Sequence, residues 1–180
     1  FMAPGSEGAK YEMSPPLRPP AVVQALRKAV AAGEIDTIAT DHCSYNFKGQ
    51  KELGLEDFTK IPNGGPGIEH RPMVVYTSMV QPGELAVTDF CRLLAENPAK
   101  LFGMYPQKGV LAVGSDADVT VWDPEAKTVI TAARQQQNVD YTPYEGFAVT
   151  GMPKAVFVGG VLAAEYGQPT GLLAGTYVKR

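Results

Sequence analysis

The chain has 180 residues, 44% of them hydrophobic and 19% charged, and its 16 Lys plus Arg against 19 Asp plus Glu leave a formal charge of −3. That balance predicts a folded globular domain, or part of a larger one, and excludes the basic excess that a nucleic-acid partner requires. The longest strongly apolar uncharged run, Ala155 to Ala164, is about half of the roughly 20 residues needed to cross a bilayer, so no spanning helix and no membrane partner are expected.

Two cysteines, Cys43 and Cys91, are too few for a disulfide framework and suit a reducing compartment, which makes the cytoplasm the expected location. The opening Phe1-Met2-Ala3-Pro4-Gly5 has neither the basic nor the apolar region of a signal peptide, and it does not read as a natural start. Fifteen prolines and 19 glycines predict many short elements joined by long, shaped loops.

In chain order, Tyr11-Glu12-Met13 alternates and is stopped by Pro15-Pro16, which predicts a strand ending at Ser14. From Pro19 to Ala32 the apolar positions Val22, Val23, Leu26, Ala29 and Val30 recur at helical spacing, with Gly33 suited to the C-terminal cap. Ile35 to Thr40 is short and β-branched, as a buried strand would be, and runs directly into Asp41-His42-Cys43. Strand, helix, strand in this order predicts a βαβ unit of a parallel sheet, with Ser14 and Asp41 on its chemically active face at the strand C-termini.

Residues 44 to 67 form a long connection that includes Ile61-Pro62-Asn63-Gly64-Gly65-Pro66-Gly67; loops of that length are usually functional or disordered. Helices are predicted over Ile68 to Val80 and over Thr88 to Ala95 with Thr88 as N-cap. A short one restarts at Asn97-Pro98, Asn97 serving as its cap, and ends at Gly103. Beyond residue 108 helical periodicity vanishes. Val119 to Trp122, Val129-Ile130, and the runs Ala155 to Val158 and Val161 to Ala164 around Gly159-Gly160 predict a small β domain with one type I′ hairpin.

Among candidate functional residues Asp41 stands first. An acid just past an apolar parallel strand is poorly placed for packing and well placed to bind a metal or move a proton, and the alternative is an Asp that caps the following turn. Alternation points His42 away from that face, toward a packed or hydrogen-bonded supporting role. Ser14 offers a hydroxyl and backbone groups to a ligand, or simply ends a strand. Asn63 lies where glycines let backbone approach a small molecule, or in an ordinary tight turn. His70, Cys43 and Cys91 show no partner pattern and read as surface or filler residues. Two histidines are too few for a binuclear or His-rich metal site, so the chain reads as incomplete.

Several longer stretches closely resemble the dihydropyrimidinases, or D-hydantoinases: Gly8 to Arg18, Thr40 to Cys43, Gly49 to Gly54, Phe58 to Gly64, Asn138 to Tyr141 and Tyr144 to Gly146. Asn97 to Gly103 and Lys108 to Asp118 are similar to a signature shared more widely among cyclic amidohydrolases. The resemblance runs from about residue 7 to the C-terminus. It implies an α/β fold class, the C-terminal part of a metal-dependent (β/α)8 TIM barrel over residues 1–107, followed by strands of a small β-sandwich over 108–165 and a tail over 166–180.

The same resemblance implies a Zn2+ pair held by a His-x-His pair, a carboxylated lysine, two more histidines and one aspartate after the last barrel strand, of which Asp41 alone is present here. Asp41 would ligate one metal and carry the proton from the attacking hydroxide to the leaving ring nitrogen. Ser14 and Asn63 would hold the cyclic amide through backbone groups. Substrates would be dihydrouracil, dihydrothymine and hydantoins, opened to N-carbamoyl amino acids. The isolated chain would be inactive, since the other ligands and an oxyanion-stabilising tyrosine lie elsewhere. The family's usual state implies a homotetramer with the tail after Tyr166 reaching a neighbour. Two competing readings are a non-catalytic dihydropyrimidinase-related assembly protein, against which the intact Asp41 and Pro62-Asn63-Gly64 speak, and another cyclic amidohydrolase such as an allantoinase or dihydroorotase.

Overall fold

A computed structural model describes residues 5–172 and 175–179. The chain divides into two compact units, each drawn from several stretches. Unit 1 comprises Phe1–Leu26, Thr40–Arg71 and Thr128–Ala148; unit 2 comprises Arg27–Ala39, Pro72–Lys127 and Val149–Arg180.

The helix α1 spans Pro20–Ala31. The Pro19 carbonyl accepts from the amides of Val22 and Val23, so the prolines stand where a first turn has no use for their missing N–H. The helix stops where Gly33 turns left-handed at φ +78 and donates to the Val30 carbonyl at 3.1 Å. Of its apolar positions Val30 is buried, while Val22, Val23 and Leu26 are exposed.

Neither expected strand of the βαβ unit forms. Gly5–Tyr11 is a 3-10 helix, and the residues that follow it up to Ser14 carry no strand. Residues 35–40 are likewise irregular, although Ile35 and Ile38 pack against the core of unit 2. The cause is physical: a strand exists through its ladder, and among the described residues 35–40 join no sheet, their contacts including Ile38 N to Leu93 O at 3.4 Å and Asn97 Nδ2 to Asp36 O at 2.8 Å. Alternation and β-branching report fitness for a sheet and supply no neighbour.

The helical stretches are more continuous than the spacing predicts. Helix α2, Arg71–Val75, widens into a π-helical stretch over Tyr76–Val80, closed by the Gln81 amide on the Tyr76 carbonyl at 2.9 Å. A turn through Gly83 leads to α3, Val87–Cys91, which passes through a second wide stretch, Arg92–Glu96, into α4, Asn97–Leu101. Its N-cap is Ala86, so Thr88 is the second residue of the helix and not its cap. Asn97 is itself helical and spends its amide on Asp36, so no restart occurs there. The wide turn lets the backbone N–H of Asn97 bond the Arg92 carbonyl, and Pro98 follows without breaking the helix.

Unit 2 holds the main apolar core: Val30, Tyr76, Met79, Leu85, Phe90 and Leu93, the last fully buried. Tyr76, Phe90 and Trp122 form a mutual aromatic triangle with ring centroids 5.1 to 5.8 Å apart. The strands are β1, Val119–Val129; β2, Ala148–Val158; β3, Val161–Glu165; and β4, Gln168–Pro169, ordered β1-β2-β3-β4 in one sheet. The expected hairpin is present: β2 and β3 pair antiparallel, with Val158 opposite Val161 and Gly159 and Gly160 at φ +55 and +80. The tail expected after Tyr166 begins by turning back, so that Gln168 pairs with Glu165; its residues 173, 174 and 180 lie outside the described residues.

The Lys108-to-Asp118 signature is a clasp in unit 2. Lys108 Nζ reaches Asp116 Oδ2 at 2.9 Å and also the Asp118 carboxylate, whose other oxygen accepts from Gly159 N at 2.8 Å. The two carboxylates hold the Lys108 amine above its usual value, and the amine in turn holds them below theirs. Among the described residues no helix is long and apolar enough to cross a membrane.

Candidate functional site

Ser14, Asp41 and Asn63 all lie in unit 1, on three segments without regular secondary structure that are knit together by hydrogen bonds. Gly64 N donates to Glu12 O at 3.0 Å, joining the 63–67 loop to the residues before Ser14. Cys43 N donates to Gly65 O at 3.4 Å, joining the same loop to the residues after Asp41. The side chains of Asn63 and Ser14 meet directly, Nδ2 donating to Oγ at 2.6 Å across 49 positions of sequence. The Ser14-Pro15 peptide is cis.

Glycine is required at position 64. Its φ is +148, and a Cβ there would stand 2.4 Å from the Cys43 carbonyl oxygen, so the loop lies closer to the Asp41-His42-Cys43 segment than any side chain would permit. Asp41 itself is exposed and has φ +48, a left-handed conformation that few non-glycine residues adopt. Such backbone persists only where its surroundings determine it, and it is concentrated at functional sites.

His42 stands beside the loop. The amides of Gly67 and Ile68 both donate to its Nδ1, at 3.2 and 3.3 Å. Nδ1 is therefore an acceptor and the ring proton belongs on Nε2. This is the hydrogen-bonded supporting role that strand alternation suggests, reached here without a strand. His70, a filler residue by sequence, is 3% exposed and within 3.3 Å of Thr142 Oγ1; burial pushes its ring below the usual histidine value, with Glu69 opposing. Cys43 and Cys91 are free and exposed.

Three residues that sequence reasoning left without a role hold the site's surroundings. Lys51 is fully buried and donates through Nζ to Glu12 O at 3.0 Å and Pro62 O at 2.9 Å. Asp140 accepts the Phe47 and Lys48 amides on its two carboxylate oxygens, at 2.6 and 3.0 Å. Glu69 accepts those of Gln136 and Gln137, at 2.7 and 3.0 Å. The signal for two of them was their place inside quoted motifs, Gly49-Gln50-Lys51 and Asn138-Val139-Asp140-Tyr141; Glu69 carried none.

As a metal site the arrangement is partial. The Asp41 carboxylate is an exposed oxygen donor suited to a divalent cation, but among the described residues no group of three His, Cys, Asp or Glu side chains could hold a metal ion. The donor set fits one ligand's share of a site and no more.

The model of the amidohydrolase family matches residues 17–163, and the chain belongs to that family. It is similar to a D-hydantoinase from Ralstonia pickettii, 46% identical over 168 residues that cover 93% of this chain and 36% of that protein. Among solved structures, the dihydropyrimidinase of Brevibacillus agri superposes with a TM-score of 0.91 at 44% identity, covering 93% of this chain and 36% of that one. An L-hydantoinase (dihydropyrimidinase) from Arthrobacter aurescens does so at 0.86 and 35% identity, covering 94% and 37%. The chain thus spans little more than a third of the length of the relatives it matches.

Proposed function

We propose that this chain is part of an enzyme that hydrolyses the cyclic amide bond of dihydropyrimidines and hydantoins, giving N-carbamoyl amino acids. The observation that carries the reading is the 2.6 Å contact between Asn63 and Ser14. Two motif residues far apart in sequence meet in one place, beside the loop that also packs on the Asp41 segment. Relatives named D-hydantoinase and dihydropyrimidinase supply the substrate class. In this reading residues 1–107 are the C-terminal part of a (β/α)8 barrel, 108–165 contribute to a β-sandwich, and the tail over 166–180 serves a homotetramer.

In the reaction, Ser14 and Asn63 orient the ring through their backbone groups, and their mutual hydrogen bond fixes the spacing of the two segments. Water adds its oxygen to the ring carbonyl carbon, and the Asp41 carboxylate accepts the proton released. As the carbon–nitrogen bond breaks, Asp41 returns that proton to the departing nitrogen, so the carboxylate ends unchanged. A zinc pair bound beside Asp41 would lower the pKa of water and polarise the carbonyl. Asp41 is the ligand this chain supplies, the others belonging to the length of the relatives it does not span. The isolated chain is accordingly inactive.

The test uses the full-length protein with dihydrouracil and hydantoin, against allantoin and dihydroorotate as competitors for the assignment. Asp41→Asn should lower turnover by about 10³-fold or more and reduce bound metal, since an amide neither accepts the proton nor ligates well. Near-normal turnover in that variant would remove Asp41 from the mechanism. Opening of allantoin or dihydroorotate alone would move the protein to another branch of the family.

A further inference from the structure

We propose that Lys51 is a positioning residue for ring binding, its ammonium tying the segment that carries Ser14 to the segment that carries Asn63. The inference rests on the roles given to Ser14 and Asn63 above. Lys51 Nζ donates to the carbonyl of Glu12, two residues before Ser14, at 3.0 Å, and to that of Pro62, immediately before Asn63, at 2.9 Å. The Glu12 carbonyl also accepts Gly64 N at 3.0 Å, so one oxygen receives both the lysine and the segment that carries Asn63.

The choice of residue is informative. Lys51 is 0% exposed, and its ammonium donates to the neutral backbone carbonyls of Glu12 and Pro62. Burying a cation among dipoles is a poor way to stabilise a fold, because desolvation offsets most of what the hydrogen bonds return. Burial holds the amine below its usual value, with Glu12 and Cys43 opposing more weakly. What the lysine provides is geometry: a tetrahedral donor can satisfy two carbonyls from different segments at once, as no apolar side chain can. Neither segment has regular secondary structure to fix it. Ligand groups on such backbone depend on cross-ties for their spacing, and a site whose binding groups are held less well binds the ring more weakly.

The experiment compares the full-length protein with Lys51→Met, which keeps an unbranched side chain one atom shorter and removes its donors, using dihydrouracil and hydantoin. A positioning role raises KM by about tenfold or more while kcat and metal content stay within about twofold of the unaltered protein. A merely structural role lowers the active fraction, and so kcat per mole, at unchanged KM; that result overturns the inference. Should Lys51→Met not fold, Lys51→Gln, which keeps an N–H donor on a shorter chain, is read in the same two ways. Failure of both to fold also overturns it, because Lys51 would then serve the whole fold and not the ligand segments. If the unaltered protein opens neither ring, the functional reading fails first and takes this inference with it, an outcome distinct from activity with an indifferent Lys51.

Discussion

His70 shows how a residue with no pattern in the sequence acquires a measurable property from burial. Its ring sits 3.3 Å from Thr142 Oγ1 and is pushed below the ordinary value of 6.5. The neutral ring is therefore favoured by folding. Stability of unit 1 is complete above pH 6.5 and falls, by up to about 1.4 kcal/mol per pH unit, as acid protonates the unfolded ring first. The loss is complete once pH has passed through the folded ring's lower value. Thermal midpoints between pH 7.5 and 5 should show this slope in the unaltered protein and a shallower one in His70→Gln. An equal slope in both would assign the acid sensitivity elsewhere. At this scale the sequence was least legible: Asp41, Ser14 and Asn63 could be singled out, but whether a lysine or histidine is buried is decided by distant segments. Nothing local separates Lys51 from the exposed Lys48, three positions earlier in the same connection.

The elements divide by how local their causes are. Helix α1 and the β2–β3 hairpin follow their sequence cues, because a proline start, a glycine cap and a two-glycine turn act within a few residues. The strands expected before Ser14 and Asp41 do not form, because a ladder needs a partner the pattern does not name. Close approach between elements makes a sharper test. Gly151 in β2 has φ +86, and a Cβ there would lie 2.4 Å from the Tyr76 ring and 3.0 Å from Trp122 Nε1. Gly151→Ala should destabilise the protein by roughly 2 kcal/mol or more, combining a left-handed backbone penalty with overpacking of the aromatic triangle. The denaturant midpoint measures this, and a change under about 0.5 kcal/mol would mean that the helix carrying Tyr76 yields freely.

For the whole molecule, the two units are held by different means. Unit 2 is built on the apolar cluster around Leu93, whereas unit 1 buries Lys51, His70 and Thr142 and relies on cross-segment hydrogen bonds. Amide hydrogen exchange should accordingly be slower over residues 76–94 than over 44–67, since protection follows buried apolar contact and regular backbone hydrogen bonding. Equal protection would show that the polar ties are worth as much as the core. The Lys51 tie has a further consequence in time. It joins residues separated by 39 and by 11 positions, and the entropy of closing such loops must be met before either bond can form. Local helices and the glycine hairpin need no such wait. By that argument the tie between the ring-holding segments closes after helix α1 and the glycine hairpin have formed.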